Sequence, residues 1–116
     1  MTERKPERDV LVRHFSLSEA QAAPLTPGDI SSLLVKRGSM TLEYYVPKGV
    51  DTQTPHIKDE IYIISRGRGW FRCDASRIAC ARGDALFVPA GVEHRFEDFS
   101  DDFETWVIFY GPEGGE

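Results

Sequence analysis

Two stretches decide the fold of this chain: residues 54–67, TPHIKDEIYIISRG, and residues 83–98, GDALFVPAGVEHRFED. In the first, Ile61-Tyr62-Ile63-Ile64 is a β-branched and aromatic run, which predicts a strand. A helical signal competes with it, because Thr54-Pro55 resembles a helix start and Ile57, Ile61 and Ile64 recur at i, i+4 and i+7. Gly67 and Gly69 end the run soon after Ile64, and the strand is favoured. In the second stretch, Gly83-Asp84 and Pro89-Ala90-Gly91 punctuate two short strands, Ala85 to Val88 and His94 to Phe96.

Outward from these stretches the same pattern continues. Ser32 to Lys36 and Met40 to Val46 flank Gly38-Ser39 as a hairpin, and Pro47-Lys48-Gly49 ends its second strand. Trp70 to Cys73, Ile78 to Ala81 and Thr105 to Tyr110 add further strands, separated by turn residues such as Ala75-Ser76-Arg77 and by the acidic loop Phe99 to Phe103. Many short strands at roughly 8–12-residue spacing predict an all-β sandwich or barrel. Helix is expected only at Ser16 to Ala23, where a serine precedes Glu19 and an alanine-rich turn. Asp9 to Phe15 reads as a short strand, whereas residues 1–9 and the Gly-Pro-Glu-Gly-Gly-Glu tail (112–116 and the glycine before it) read as mobile ends.

A chain of 116 residues has the size of one domain, with a barrel core expected over about 30–111. The net charge of −5 argues against nucleic acid or an anionic membrane as partner. No apolar run reaches the roughly 18–20 residues of a membrane span, and Met1 to Asp9 lacks the apolar segment of a signal peptide. Cys73 and Cys80 do not make a disulfide framework, and reduced thiols in the cytoplasm are the expectation.

The chemistry rests on histidines. On one straight strand His56 and Glu60 would stand about 13 Å apart, too far to share a metal ion. The reading that joins them makes Ile57-Lys58-Asp59 a tight connection, with His56 ending one strand and Glu60 opening the next. His94 then arrives from a third strand. Two imidazoles and a carboxylate form a facial triad with open positions, suited to divalent iron, manganese, nickel or zinc. The competing reading keeps His56 and His94 as inward polar groups, satisfied by Glu60 and water in a metal-free barrel. His14 falls outside this constellation and reads as a surface histidine.

At these residues the chain resembles the cupin superfamily of small β-barrels. The second half of the first cupin motif, G-x(5)-H-x-H-x(3,4)-E-x(6)-G, is matched by His56, Glu60 and Gly67. The second motif, G-x(5)-P-x-G-x(2)-H-x(3)-N, is matched by Gly83, Pro89, Gly91 and His94, with Asp98 in place of the final asparagine. The resemblance spans about residues 47–98 and implies a double-stranded β-helix, a jelly-roll barrel. The first histidine of H-x-H falls on Thr54, and Gly49 sits one residue closer than the motif asks. Gln53 is the best local substitute, because an amide oxygen can ligate a hard divalent ion; Asp51 is a weaker one. The resemblance therefore implies a metal held by His56, Glu60, His94 and Gln53. It implies a metal-dependent enzyme, dioxygenase- or isomerase-like, acting on a small polar metabolite inside the barrel, with a non-catalytic binding or sensing cupin as the alternative. No catalytic residue is singled out, and Asp98 suits turn capping. A homodimer is expected, paired through the strand around Leu11 to Phe15, since barrel edges are normally covered.

Overall fold

The computed structural model describes residues 12–25 and 27–116. Val12 to Phe15 form no strand, and Val12 is 93% exposed. The expected N-terminal strand is therefore absent over these residues, while Leu11 and the residues before it lie outside the described part. Helix α1 (Leu17–Ala22) follows as the sequence predicts. Ser16 caps it: its hydroxyl accepts from the Glu19 amide at 3.1 Å, and the Glu19 carboxylate accepts from the Ser16 amide at 3.2 Å. Six residues are too few for a helix to persist alone. The helix is held by buried Ala20 and by the Gln21 amide, which donates to Glu104 at 2.8 Å.

Among the described residues, eight antiparallel strands make two sheets. They are β1 (Ser31–Arg37), β2 (Met40–Tyr45), β3 (Asp59–Arg66), β4 (Arg68–Cys73), β5 (Ser76–Ala81), β6 (Ala85–Val88), β7 (His94–Glu97) and β8 (Glu104–Tyr110). The larger sheet has the order β1-β2-β8-β3-β6 and the smaller β5-β4-β7. Alternation along each strand supplies the core: Tyr62 and Ile64 from β3, Phe71 from β4, Phe96 from β7 and Val107 from β8 all point between the sheets. This is the jelly-roll arrangement, and the strand reading of residues 61–64 prevails over the helical one. Cross-strand and inter-sheet aromatic contacts fix the middle of the core, with Tyr62 and Phe96 ring centres 4.9 Å apart.

Gly67 is the corner at which the chain leaves one sheet for the other. It is the single residue between β3 and β4, with φ of 80°. A Cβ there would lie 2.7 Å from the Phe103 Cα, so both the conformation and the space demand glycine. The chain returns through Arg82-Gly83-Asp84, whose backbone bonds to Ile64 on both sides: Gly83 N to Ile64 O at 2.8 Å and Ile64 N to Asp84 O at 2.9 Å.

Two expectations need correction here. The β4–β5 turn is Asp74-Ala75 rather than Ala75-Ser76-Arg77, because Asp74 takes the left-handed conformation that aspartate tolerates. On the same hairpin Cys73 pairs with Ser76 and Cys80 with Gly69, and both thiols are free, in keeping with the sequence reading. The C-terminal tail is folded back onto the barrel: Gly114 N donates to Ile57 O at 2.6 Å and Glu116 N to the Asp59 carboxylate at 3.2 Å. No helix among the described residues is long and apolar enough to cross a membrane.

Candidate metal centre

His56, Glu60 and His94 converge, with one ligand atom from each lying within 4.8 Å of the others. The way His56 gets there differs from the sequence reading. It ends no strand; residues 51–58 form an irregular loop, and His56 is placed by contacts instead. Its carbonyl accepts from the Gly91 amide at 2.6 Å, so one motif's loop is bonded directly to the other's. Its ring packs edge-on against Phe109, centres 4.6 Å apart. Gly91 has φ of 80°, which turns its amide toward that carbonyl. Glu60 and Tyr62 lie two residues apart on β3 and therefore on its same inner face. His94 opens β7, behind Pro89-Ala90-Gly91.

Glu60 is 1% exposed, and its Oε1 has no hydrogen-bond partner among the described residues. That oxygen lies 3.0 Å from His94 Nε2, and Oε2 lies 3.7 Å from His56 Nε2. His94 Nδ1 donates to the Val92 carbonyl at 2.8 Å, which leaves the Nε2 lone pair facing Glu60 in the neutral ring. Two lone pairs at that distance repel unless a cation or a proton stands between them. Burial lowers the proton affinity of both rings. For His56 burial prevails and its pKa falls; for His94 the adjacent Glu60 carboxylate, the Val92 carbonyl and Asp51 favour the charged ring and overturn it, and its pKa rises.

Gln53 joins the cluster. Its Oε1 lies 3.2 Å from His56 Nε2 and accepts from the Tyr62 hydroxyl at 2.6 Å. The orientation of this amide is set by Asp51, which accepts from Gln53 Nε2 at 2.6 Å and from Gln53 N at 3.1 Å. A carboxylate accepts only, so the amide nitrogen must face it and the oxygen must face the histidines. Asp51 also accepts from the Tyr45 hydroxyl at 2.5 Å and the Phe96 amide at 2.8 Å. Its oxygens are thus occupied, and the weaker ligand candidate of the sequence is the anchor of the stronger one.

Donors arranged at right angles around a divalent ion with bonds of about 2.1 Å stand roughly 3 Å apart. The spacings of 3.0 Å between His94 and Glu60 and 3.2 Å between Gln53 and His56 meet that requirement, while the 3.7 Å between Glu60 and His56 is wider. The chemistry of the donor set and the orphaned Glu60 oxygen therefore fit a metal ion.

Composition and motif spacing did not single out Tyr62 or Glu43. Tyr62 is fully buried, its hydroxyl between Gln53 and His94 Nε2, 3.0 Å from the latter, and burial pushes its phenol well above the ordinary range. Its place two residues after Glu60 was the available signal. His14 lies exposed near α1, outside the cluster. Asp98 has φ of 47° in the turn after β7 and pairs with Arg77, consistent with a turn role rather than a ligand role. The site opens into a cavity of about 480 Å³ that reaches from Glu60 and His56 past Gln53 and Phe109 to Glu43 and the Gly28–Ser31 segment.

A two-sheet jelly roll with a His/Glu/His cluster between its sheets defines a small cupin. The AraC-like ligand binding domain family matches residues 48–112, and the chain belongs to this family. It is 33% identical over 104 residues to an uncharacterized protein of Streptomyces coelicolor, covering 88% of this chain and 99% of that one. Over 57 residues it is 35% identical to mannose-6-phosphate isomerase 2 of Arabidopsis thaliana, which is 48% of this chain but 13% of that protein. Its fold is similar to a cupin 2 conserved barrel domain protein from Salinispora arenicola, with a TM-score of 0.66, 18% identity, and coverage of 87% of this chain and 91% of that one.

Proposed function

We propose that the protein is a metal-dependent cupin enzyme of isomerase or dioxygenase type, which holds a small polar metabolite in the cavity. His56, Glu60 and His94 would hold the ion, with Gln53 as the fourth donor. The observation that carries this reading is the buried, unpartnered Glu60 Oε1 beside the His94 lone pair. A bound divalent ion would supply Lewis acidity toward substrate oxygens. The chain's own groups do the rest. Val92 O fixes the His94 tautomer, and Asp51 orients Gln53. Tyr62 keeps its proton and donates it as a hydrogen bond at the inner end of the cavity. Phe109 and Val107 line one wall with apolar surface, which limits water around the substrate's carbon skeleton. The two free thiols support a reducing compartment, the cytoplasm.

A second reading, non-catalytic ligand binding, is favoured by the description of the matching family. Elemental analysis of protein purified without chelator or histidine tag tests the centre. Near-stoichiometric metal that is lost in His94→Ala is expected; no metal in either protein, and no thermal shift with added iron, nickel, manganese or zinc, would overturn it and leave His94 protonated against Glu60. Turnover of a bound substrate then separates enzyme from binder.

A further inference from the structure

We propose that the cavity takes a small ligand with an oxygen donor at its inner end and a protonated amine at its outer end, the amine resting on Glu43. This rests on the metal-centre reading above and adds the ligand's charge to it. The charged side chains lining the cavity are Asp29, Glu43 and Glu60, together with the His56 imidazole; among the described residues, no lysine or arginine lines it. Glu43 stands on the inner face of β2, opposite Val107 on β8 and Leu33 on β1, and is half-buried. Its carboxylate accepts from the hydroxyls of Ser31 and Thr41, the latter at 2.8 Å, but has no ion-pair partner among the described residues. Asp29 is exposed at the rim, where water screens it; Glu43 is not so placed.

The nearby cations are turned elsewhere. Lys58 donates to the Ser39 carbonyl at 3.0 Å, and Arg66 pairs with Glu104 at 3.3 Å. With Asp29 screened at the rim, Glu60 and the buried Asp51 behind Gln53 balance one divalent ion, and Glu43 leaves an excess negative charge in a concave space bounded by Leu33, Val107 and Phe109. Such walls focus the field of the carboxylates. An anionic ligand such as a phosphate ester would meet that field with no cation to pair with, and a carboxylate would fare little better. A monocation neutralises it. The unpartnered, buried Glu60 Oε1 at the inner end faces the ion of the metal-centre reading, so the charge left for the ligand to meet is that of Glu43. The volume of about 480 Å³ suits a molecule of metabolite size.

Three probes with one carbon skeleton separate the charges: aminopropanediol, glycerol and glycerol phosphate. Binding to metal-loaded protein is measured by calorimetry at matched ionic strength, with metal content determined on the same samples. The amine is expected to bind about tenfold tighter than glycerol, the size of one charge-assisted hydrogen bond, with glycerol phosphate weakest. Glu43→Gln should erase the advantage of the amine without lowering metal content, and Glu43→Asp should retain it. Glycerol phosphate binding as well as the amine, an amine advantage that survives in Glu43→Gln, or no discrimination among the three would overturn the proposal. A wild-type protein without metal would overturn the centre instead, and the Glu43 dependence of amine binding is then judged on that metal-free protein.

Discussion

Replacing Asp51 with asparagine removes one charge and converts one acceptor into a donor, at a group that four donors surround. Oδ1 receives the Tyr45 hydroxyl and the Gln53 amide; Oδ2 receives Gln53 Nε2 and the Phe96 amide. If the new NH2 group faces the Oδ1 side, Tyr45 can rotate its hydroxyl to accept, but the Gln53 backbone N–H is stranded. If it faces the Oδ2 side, the Gln53 side chain can flip, but the Phe96 N–H is stranded. Either way one N–H loses its acceptor, at about 1–3 kcal/mol, and the remaining bonds lose charge assistance, at roughly 0.5–1 kcal/mol each. Asp51 is 6% exposed, so water does not relieve the loss. The expected destabilisation is about 3 kcal/mol, or a fall in Tm of roughly 10 °C for a chain of this size. Urea unfolding of metal-free protein measures it. Metal titration then reports which orientation was taken, because the flipped Gln53 turns its nitrogen toward the histidines and weakens binding, whereas the other orientation leaves affinity close to wild type. A destabilisation below about 0.5 kcal/mol would refute the network, since surface substitutions commonly cost that little.

Gly67→Ala should cost about 3 kcal/mol, from the left-handed backbone and the encounter with Phe103, whereas Gly83→Ala, with φ of 94° but nothing within 4 Å of its Cβ, should cost about 1 kcal/mol; equal losses in thermal melts would contradict the corner described for Gly67. The Glu97 carboxyl is held below its usual range by hydrogen bonds from Arg72 and then Arg77. A depressed folded pKa contributes stability above the unfolded value and loses it as pH falls through the folded one. The stability gap between wild type and Glu97→Gln should therefore be open at neutral pH and close in acid, and a gap that widens below pH 4 would exclude this ion pair as its source. On the outer face of the larger sheet, Leu42, Ile108, Ile61 and Phe87 align across four strands, and Phe87 is 57% exposed. An exposed apolar patch of this kind can be covered by the same patch of a second copy across a two-fold axis. Sedimentation should give a homodimer that Phe87→Lys dissociates; a wild-type monomer at micromolar concentration would refute it.

Strands were legible because the turns between them are made of glycine, proline and aspartate, whose backbone preferences are local. Ala85–Val88 matches the sequence reading residue for residue, and the Ser16–Glu19 cap is a local device read from two residues three apart. The location of the metal-ligating types followed from motif spacing. What spacing did not carry is how His56 is held. The strand expected to end there does not form, because its place is set by Gly91, 35 residues away, and by Phe109. The role of Asp51 was hidden for the same reason, since two of its donors, Tyr45 and Phe96, come from different sheets. The Gly-rich tail read as mobile on composition, yet composition is silent about where backbone amides find carbonyls. Gln53 was chosen for its chemistry, and the direction of its oxygen was decided by a neighbour two residues earlier.

The bond between Gly91 N and His56 O has a kinetic consequence. Neither histidine-bearing segment can be set in place without the other, and the Ile57 carbonyl beside it waits for Gly114. Loop closure over such separations is paid late in folding, after the local hairpins have formed. If the proposed ion binds, it would meet its full donor set only in the finished barrel, not in the separate hairpins. On that reading, the metal acquired would reflect where folding was completed as much as the ligands themselves.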